Sequence, residues 1–379
     1  MLKLFRKKVY PIGIDLGSHS LKIIQVTQSE GGLQLIAAAK AVVPPEIRND
    51  PLGLQNWYIA NIKELLAVKP FKGKKVVSCL PARTMLIQHL RLPKMEKEQL
   101  KKSLPWEAQE KLPFNTTGAL LRHITAGEVY EGDETRLEVI LLAASRNVVQ
   151  QHLHLIEQTK IEIDSVSVEA CALVNSFAHL REHTEQGNRA ILLVDLGHSC
   201  TKVVAIHGPK MTFCRTIGPG AEEVNGQKTM SDKKEAVVNS ETGGSALAVE
   251  TATVTMTEKM RESGTVTNKT DSNMGTALTE LATEIRSCIR YHDILFEADP
   301  ISKIIFVGGQ AKDKQLCQQL AQELRLPAQL GDPLARIEAG SRIGRHSDLD
   351  AEQINSDWAV AFGLCLGETV TNNNYSAHN

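Results

Sequence analysis

Two short segments of the chain carry the same polar residues at the same intervals. Residues 12–24 read IGIDLGSHSLKII and residues 192–204 read LLVDLGHSCTKVV. In each, an apolar run ends in Asp-Leu-Gly, a polar turn follows, and a β-branched run resumes after a lysine. A turn of this make-up can aim successive backbone N–H groups into a concavity that suits phosphate oxygens. Gly17 and Gly197 let the backbone approach such a group with no Cβ in the way. Ser18, Ser20, Ser199 and Thr201 add hydroxyl donors, and Lys22 offsets phosphate charge. Asp15 and Asp195 would then face each other across a cleft and hold Mg²⁺ through water, because Mg²⁺ keeps much of its hydration shell. One Asp-Leu-Gly turn is weak evidence, since Asp and Gly are common in any turn. Two copies half a chain apart, each after an apolar strand, form a pattern.

A third glycine site is Val307-Gly308-Gly309-Gln310-Ala311, where a strand runs into a helix. Gly308 and Gly309 read either as a close approach to adenine or ribose or as an ordinary strand-to-helix turn. His19 and His198 lie in the two polar turns without a carboxylate or cysteine cluster at ligand spacing, so they read as loop residues rather than metal ligands.

The elements that must position these groups follow from periodicity. Each Asp-Leu-Gly copy predicts a strand, a tight turn and a second strand, and two such hairpins predict two similar α/β domains. After the first copy the chain continues as hairpin strands broken at Gly31-Gly32, an amphipathic helix over Leu54 to Val68 and a buried strand over 74–81. A block of different rhythm occupies 82–162 and predicts a small inserted α+β subdomain. It holds a helix from Met95 to Lys111 interrupted by Pro105, two strands paired around Glu131-Gly132-Asp133, and a helix from Asn147 to Thr159 with Asn147 as its cap. Trp106 reads as a core anchor of this block and Trp358 as the opening of a buried helix. Lys69, Lys72, Lys74 and Lys75 read as a solvated strand edge. Beyond the second copy, helices are predicted over Ala277 to Phe296, Ala311 to Leu324 and Asp357 to Leu366, with a strand at 301–309.

Composition bounds the rest. A chain of 379 residues is long enough for two to three domains. A formal net charge of −1 argues against a dedicated nucleic-acid binder. Seven dispersed cysteines with no C-x-x-C pair read as reduced thiols of a cytosolic protein. No apolar run is long enough for a membrane span, so direct membrane insertion is not expected. The basic and apolar start, MLKLFRKK, reads as a solvated terminus or as a contact with an anionic membrane surface. Between Phe213 and Tyr291 there is no aromatic residue, and 228–276 is rich in Ser and Thr, a stretch poor in anchors for a core.

These motifs together resemble the superfamily of actin, the heat-shock chaperones and the sugar kinases, and more closely the PilM family of type IV pilus assembly, relatives of the division protein FtsA. The resemblance is carried in order by GIDLGSHSLKIIQV (13–26), LPWEAQEKLPF (104–114), VEACALVNSF (168–177), VDLGHSCTKVV (194–204), VGGQA (307–311), GDP (331–333) and WAVAFGLCLG (358–367). It implies an α/β fold of duplicated actin-like, ribonuclease H-like domains with an inserted 1C-type subdomain. On that pattern 1–81 with 163–185 form the first domain, 82–162 the insert, and 186–223 with 277–370 the second domain. Residues 224–276 take the place of an outer subdomain that is reduced or mobile, and 371–379 form a disordered tail.

The resemblance further implies ATP and Mg as cofactors, with Glu169 where relatives place the group that orients the attacking water. The plain reading of Glu169 is a helix N-terminal acid complementing the macrodipole. Weak ATPase activity at most is expected. The implied function is that of a cytoplasmic scaffold, peripheral to the inner membrane through its partners. A groove near the 82–162 block would receive the N-terminal cytoplasmic segment of a PilN-type protein, and self-association is a further expectation. Two alternatives stay open: a small-molecule kinase of the same superfamily, for which no positioned Asp base is evident, and an FtsA-like division protein. The ending TNNNYSAHN lacks the amphipathic face that the latter uses at a membrane.

Overall fold

The computed structural model describes residues 8–109, 111–112, 116–178, 189–208, 210–218, 269–342, 344–350 and 352–367. The expectations for the Ser/Thr-rich run up to 268, for the tail at 371–379 and for the basic start therefore lie outside the described residues.

The first hairpin opens a five-stranded sheet. β1 (Ile12–Leu16), β2 (Ser20–Ser29) and β3 (Gly32–Val42) are antiparallel neighbours, and β4 (Lys75–Leu80) and β8 (Glu162–Val168) extend the sheet in parallel, in the order β3-β2-β1-β4-β8. The second hairpin repeats this arrangement. β9 (Ala190–Leu196), β10 (Thr201–His207) and β11 (Lys210–Ile217) are antiparallel, β12 (Ile301–Val307) and β13 (Ala328–Leu330) are parallel, and the order is β11-β10-β9-β12-β13. Even the register repeats, for Asp15 pairs with Lys22 across the first hairpin and Asp195 with Lys202 across the second. Successive side chains of a strand point to opposite faces, so each Asp–Lys pair shares one face.

Between β4 and β8 the chain builds a three-stranded sheet of β5 (Met85–Pro93), β6 (Ala119–Glu131) and β7 (Glu134–Ser145) in the order β5-β7-β6, covered by α2 (Lys97–Gln109). α2 continues through Pro105, because Leu100, Leu104 and Ala108 are buried along one face and their burial outweighs the lost backbone bond. Trp106 lies on the opposite face and is 76% exposed, which corrects its reading as a core anchor. Asn147 is not a cap either. α3 (Arg146–Glu157) begins one residue earlier, with Ser145 at the cap position. α3 also packs away from the three-stranded sheet: Ile156 joins Ile12, Ile14 and Val76 in the core of the first sheet, with α1 (Pro51–Val68) beside it. In β4–α3–β8 it is the crossover helix, the counterpart of α6 (Lys314–Leu324) between β12 and β13. α1 and α6 each start from an aspartate, Asp50 and Asp313, whose side chain accepts from the first backbone N–H groups.

The two halves meet at α4 (Glu169–Ser176) and α7 (Ala359–Leu366), both almost wholly buried. The α4 and α7 backbones come so close that a Cβ at Gly363 would strike the Ala172 carbonyl, and α7 lies so close to β1 that one at Gly13 would strike the Ala361 carbonyl and the Cys365 amide. Trp358, just before α7, is buried as expected. The remaining long helix, α5 (Lys269–Leu295), lies on the second sheet through Leu281, Ala282, Ile285 and Cys288. It begins before the expected Ala277.

The inserted sheet is tied to the second half as well as the first. Glu138 on β7 is 0% exposed and accepts from the Tyr291 hydroxyl of α5 at 2.9 Å, with His89 Nδ1 also at 2.9 Å. The other nitrogen of His89 meets the Cys214 carbonyl at 3.1 Å, and its ring stacks on Phe213 at 4.8 Å. No helix among the described residues is long and apolar enough to cross a membrane.

Two outcomes test this packing. Gly363→Ala is expected to lower the unfolding free energy by about 3 kcal/mol in urea titrations, whereas Gly118→Ala, with nothing within 4 Å of its added Cβ, should stay near wild type. His152 on α3 is buried against the Ser78 hydroxyl of β4 at 3.0 Å, and burial takes its pKa down to about 4. Its neutral form is the one that folds, so its contribution is full above pH 6.5 and is lost as pH falls through about 4. His152→Gln should flatten the pH–stability curve over that window by about 3 kcal/mol, measured by urea unfolding at each pH.

Candidate functional site

The turns of the two hairpins face each other across a cleft of about 460 Å³. Ser18 and Ser199 meet across it, hydroxyl to hydroxyl, at 3.2 Å. Gly17 is held by the Tyr58 hydroxyl, which donates to its carbonyl at 3.0 Å. A Cβ at Gly197 would lie 2.6 Å from the Cys200 carbonyl, so only glycine permits that turn. Gly308 has φ 94°, and a Cβ there would run into the Asp195 carboxylate. Its amide donates to the Ser356 carbonyl at 3.0 Å, so the glycine pair closes the floor of the cleft beside the second hairpin.

Of the residues predicted from sequence, Asp15, Gly17, Ser18, Ser20, Lys22, Glu169, Asp195, Gly197, Ser199, Gly308 and Gly309 all line this cleft. Thr201 does not, a correction that follows from strand alternation: Lys202 faces the cleft, so its neighbour Thr201 faces away and is buried. His19 and His198 stand at the mouth with ring centroids 5.0 Å apart, each touched by Arg48. Burial first, then His198 and Arg48, hold the His19 pKa below its ordinary value.

The dominant charged group was not among the sequence candidates. Lys202 Nζ lies 2.9 Å from Asp195 Oδ2 and also pairs with Glu169 Oε2. Burial would lower its pKa, but Asp195 and Glu169 carry it well above the ordinary lysine value. Glu169 opens α4, and its second oxygen accepts from the Ala82 amide at 3.0 Å. The signal for Lys202 was present: it follows Asp195 by the same interval as Lys22 follows Asp15. Lys22 lies 3.7 Å from Asp15, whose carboxyl is pushed up to about 6, chiefly by burial, with Lys22 opposing. A third cluster was also missed. Asp357, just before α7, takes Lys40 of β3 at 2.8 Å and Lys312 at 3.0 Å, which ties the two halves together at the cleft floor. Burial raises the Asp357 pKa, but Lys22, Lys40 and Lys312 more than offset it and hold it below the ordinary range.

A hydrated Mg²⁺ held by Asp15 and Asp195 does not suit this donor set. Asp195 and Glu169 share an ammonium and Asp15 has its own, so the acids that would hold the ion are already paired with lysines. What the arrangement offers is glycine-lined turns with hydroxyls, ringed by Arg48, Arg83, Lys40 and Lys312, a setting for a phosphate chain.

A second concavity, of about 430 Å³, lies on the other side of α4. Leu120 of β6, Leu142 of β7, Val149 of α3, Val166 of β8 and Leu364 of α7 make it mainly apolar. β6 and β8 are the outer strands of their sheets. Asn175 of α4 donates to the Gly367 carbonyl at 2.8 Å, while its own buried side-chain oxygen has no partner.

Comparison with solved structures finds a PilM-PilN type IV pilus biogenesis complex, 19% identical, covering 94% of this chain and 98% of that one at a TM-score of 0.71. The ethanolamine utilization protein EutJ from Carboxydothermus hydrogenoformans is 12% identical over 94% of this chain and 89% of that one, at a TM-score of 0.44, too low to bear on function. The two like-ordered sheets with facing hairpins are the duplicated actin-like, ribonuclease H-like α/β fold. A family model described as type IV pilus assembly protein PilM matches residues 13–233, more than half the chain. Fold, facing turns and family model agree, and the chain belongs to the type IV pilus assembly protein PilM family.

Proposed function

We propose that this chain is a cytoplasmic, actin-like scaffold of type IV pilus assembly that seats a short segment of a membrane partner and binds ATP. The segment is the N-terminal cytoplasmic stretch of a PilN-type inner-membrane protein, through which the scaffold is held at the inner face of that membrane. The observation that carries this reading is the position of α4. Its first residue, Glu169, reaches the cleft, while Cys171 and Asn175 on the same helix line the apolar groove. The groove suits an extended apolar segment, because its walls are mainly apolar and β6 and β8, the outer strands of their sheets among the described residues, flank it. The cleft suits a nucleotide, with the phosphates on the turns at Gly17 and Gly197 and the adenosine end towards Gly308 and Gly309.

Turnover does not follow from this geometry. Glu169 spends one oxygen on the Ala82 amide and the other on Lys202, which leaves it poorly placed to take a proton from water. ATP is then a bound ligand of the scaffold. Neither a small-molecule kinase nor a division protein is favoured by the family match.

The test uses the purified full chain and a synthetic peptide of the partner's N-terminal segment. Leu120→Glu, which places a charge in the groove, is expected to weaken peptide binding by about tenfold or more in calorimetry. ATP affinity should be unchanged in the same variant. Peptide binding that survives Leu120→Glu would remove the groove from the reading. Failure of ATP to bind the wild-type chain would leave a scaffold without a nucleotide.

A further inference from the structure

We infer that the Lys202 ammonium is the built-in counter-ion of the cleft, standing where a divalent cation would otherwise sit, so that a phosphate chain binds here without metal. This rests on the nucleotide reading of the cleft but concerns its charge. The position of Lys202 is dictated by the backbone: the β9–β10 register sets it opposite Asp195, on the face shared with the cleft. Its nitrogen lies between two carboxylates from different elements, Asp195 of β9 and Glu169 of α4. That bridging of two acids is the role a divalent ion plays in a phosphate site.

The carboxylate oxygens not on Lys202 are hemmed in by backbone. Of these, Glu169 Oε1 accepts from the Ala82 amide, and Asp195 Oδ1 faces the Gly308 backbone at a distance that leaves no room for a Cβ between them. A metal entering beside Lys202 would have to displace an ammonium that both acids hold, and would meet its repulsion as well. The first hairpin repeats the device in weaker form, with Lys22 beside Asp15 at 3.7 Å. Four carboxylates and four lysines line the cleft, so its acids are neutralised by the chain itself. The bound phosphates are then met by the hydroxyls of the two turns and by Arg83, which lines the cleft beside them.

The experiment has two arms, both on the full chain. In the first, ATP binding is measured by calorimetry with excess Mg²⁺ and with excess EDTA. The wild-type affinities should agree within about threefold, and Lys202→Ser should bind about tenfold tighter with Mg²⁺ than with EDTA. A wild type that binds ATP only with Mg²⁺ overturns the inference. In the second arm, Mn²⁺ uptake without nucleotide is followed by electron paramagnetic resonance. Lys202→Ser should take up Mn²⁺ that wild type does not, and adding Asp195→Asn should abolish that uptake. Lys202→Arg, which keeps the charge, should behave as wild type and controls for folding, as do thermal melts of each variant. If Lys202→Ser takes up no Mn²⁺, or if wild type shows uptake that Asp195→Asn removes, the inference falls. If no ATP binds in any condition, the nucleotide reading fails by itself, and the Mn²⁺ arm still decides whether Lys202 holds a cation's place.

Discussion

The close crossing of α4 and α7 is the constraint on which the rest of this molecule depends. Two eight-residue helices, buried almost throughout, meet where Gly363 lets the Ala172 carbonyl lie against a bare Cα. Because no side chain separates them, the two five-stranded sheets are brought in until one hydrophobic cluster collects residues from both, together with Ile124, Ala126, Ile140 and Leu142 of the inserted sheet. Cores packed to this density deform little and relay displacement. The cleft and the groove are two sides of that single core, sharing α4 as a wall.

Polar groups are buried mainly where apolar packing could not specify an arrangement by itself. Glu138 is held by partners from β5 and from α5, which fixes how the inserted sheet sits on the second half. Asp357 does the same at the cleft floor, with one lysine from each half. Such pairs add little net stability over apolar replacements of the same size, since desolvation offsets much of the attraction, but removing one partner alone is strongly unfavourable. Their value here is geometric: each admits one placement of the two units it joins.

The fold was legible because its signals are local and repeated. Two apolar strands ending in Asp-Leu-Gly, a third ending in Gly-Gly and a Trp-Ala-Val-Ala run each state their structure within a dozen residues. Most of the site residues named from the sequence line the cleft for the same reason. What escaped depends on contacts far apart in the chain. Nothing near Asp357 shows that Lys40, more than three hundred residues earlier, will reach it. Trp106 was misread because an aromatic on an amphipathic helix usually turns inward, whereas here leucines and an alanine already fill the inward face. Thr201 was misread because a composition of hydroxyls says nothing about which strand face each occupies. Lys202 is the instructive miss. Its interval from Asp195 is the repeat's own, so the duplication that revealed the hairpins also carried the cation.

The seven cysteines acquire a meaning that composition alone did not suggest. All are buried, one each on β4, α4, β11, α5, α6 and α7 and one in the second cleft turn. Burial raises the pKa of the Cys79, Cys200, Cys288, Cys317 and Cys365 thiols, that of Cys365 to about 12, so these sulfurs are shielded and protonated together. Alkylation requires a thiolate in reach of solvent. Each cysteine therefore reacts only when its own element opens, and the chain carries a native clock for local unfolding in both halves of the molecule, read by mass spectrometry without a single introduced label.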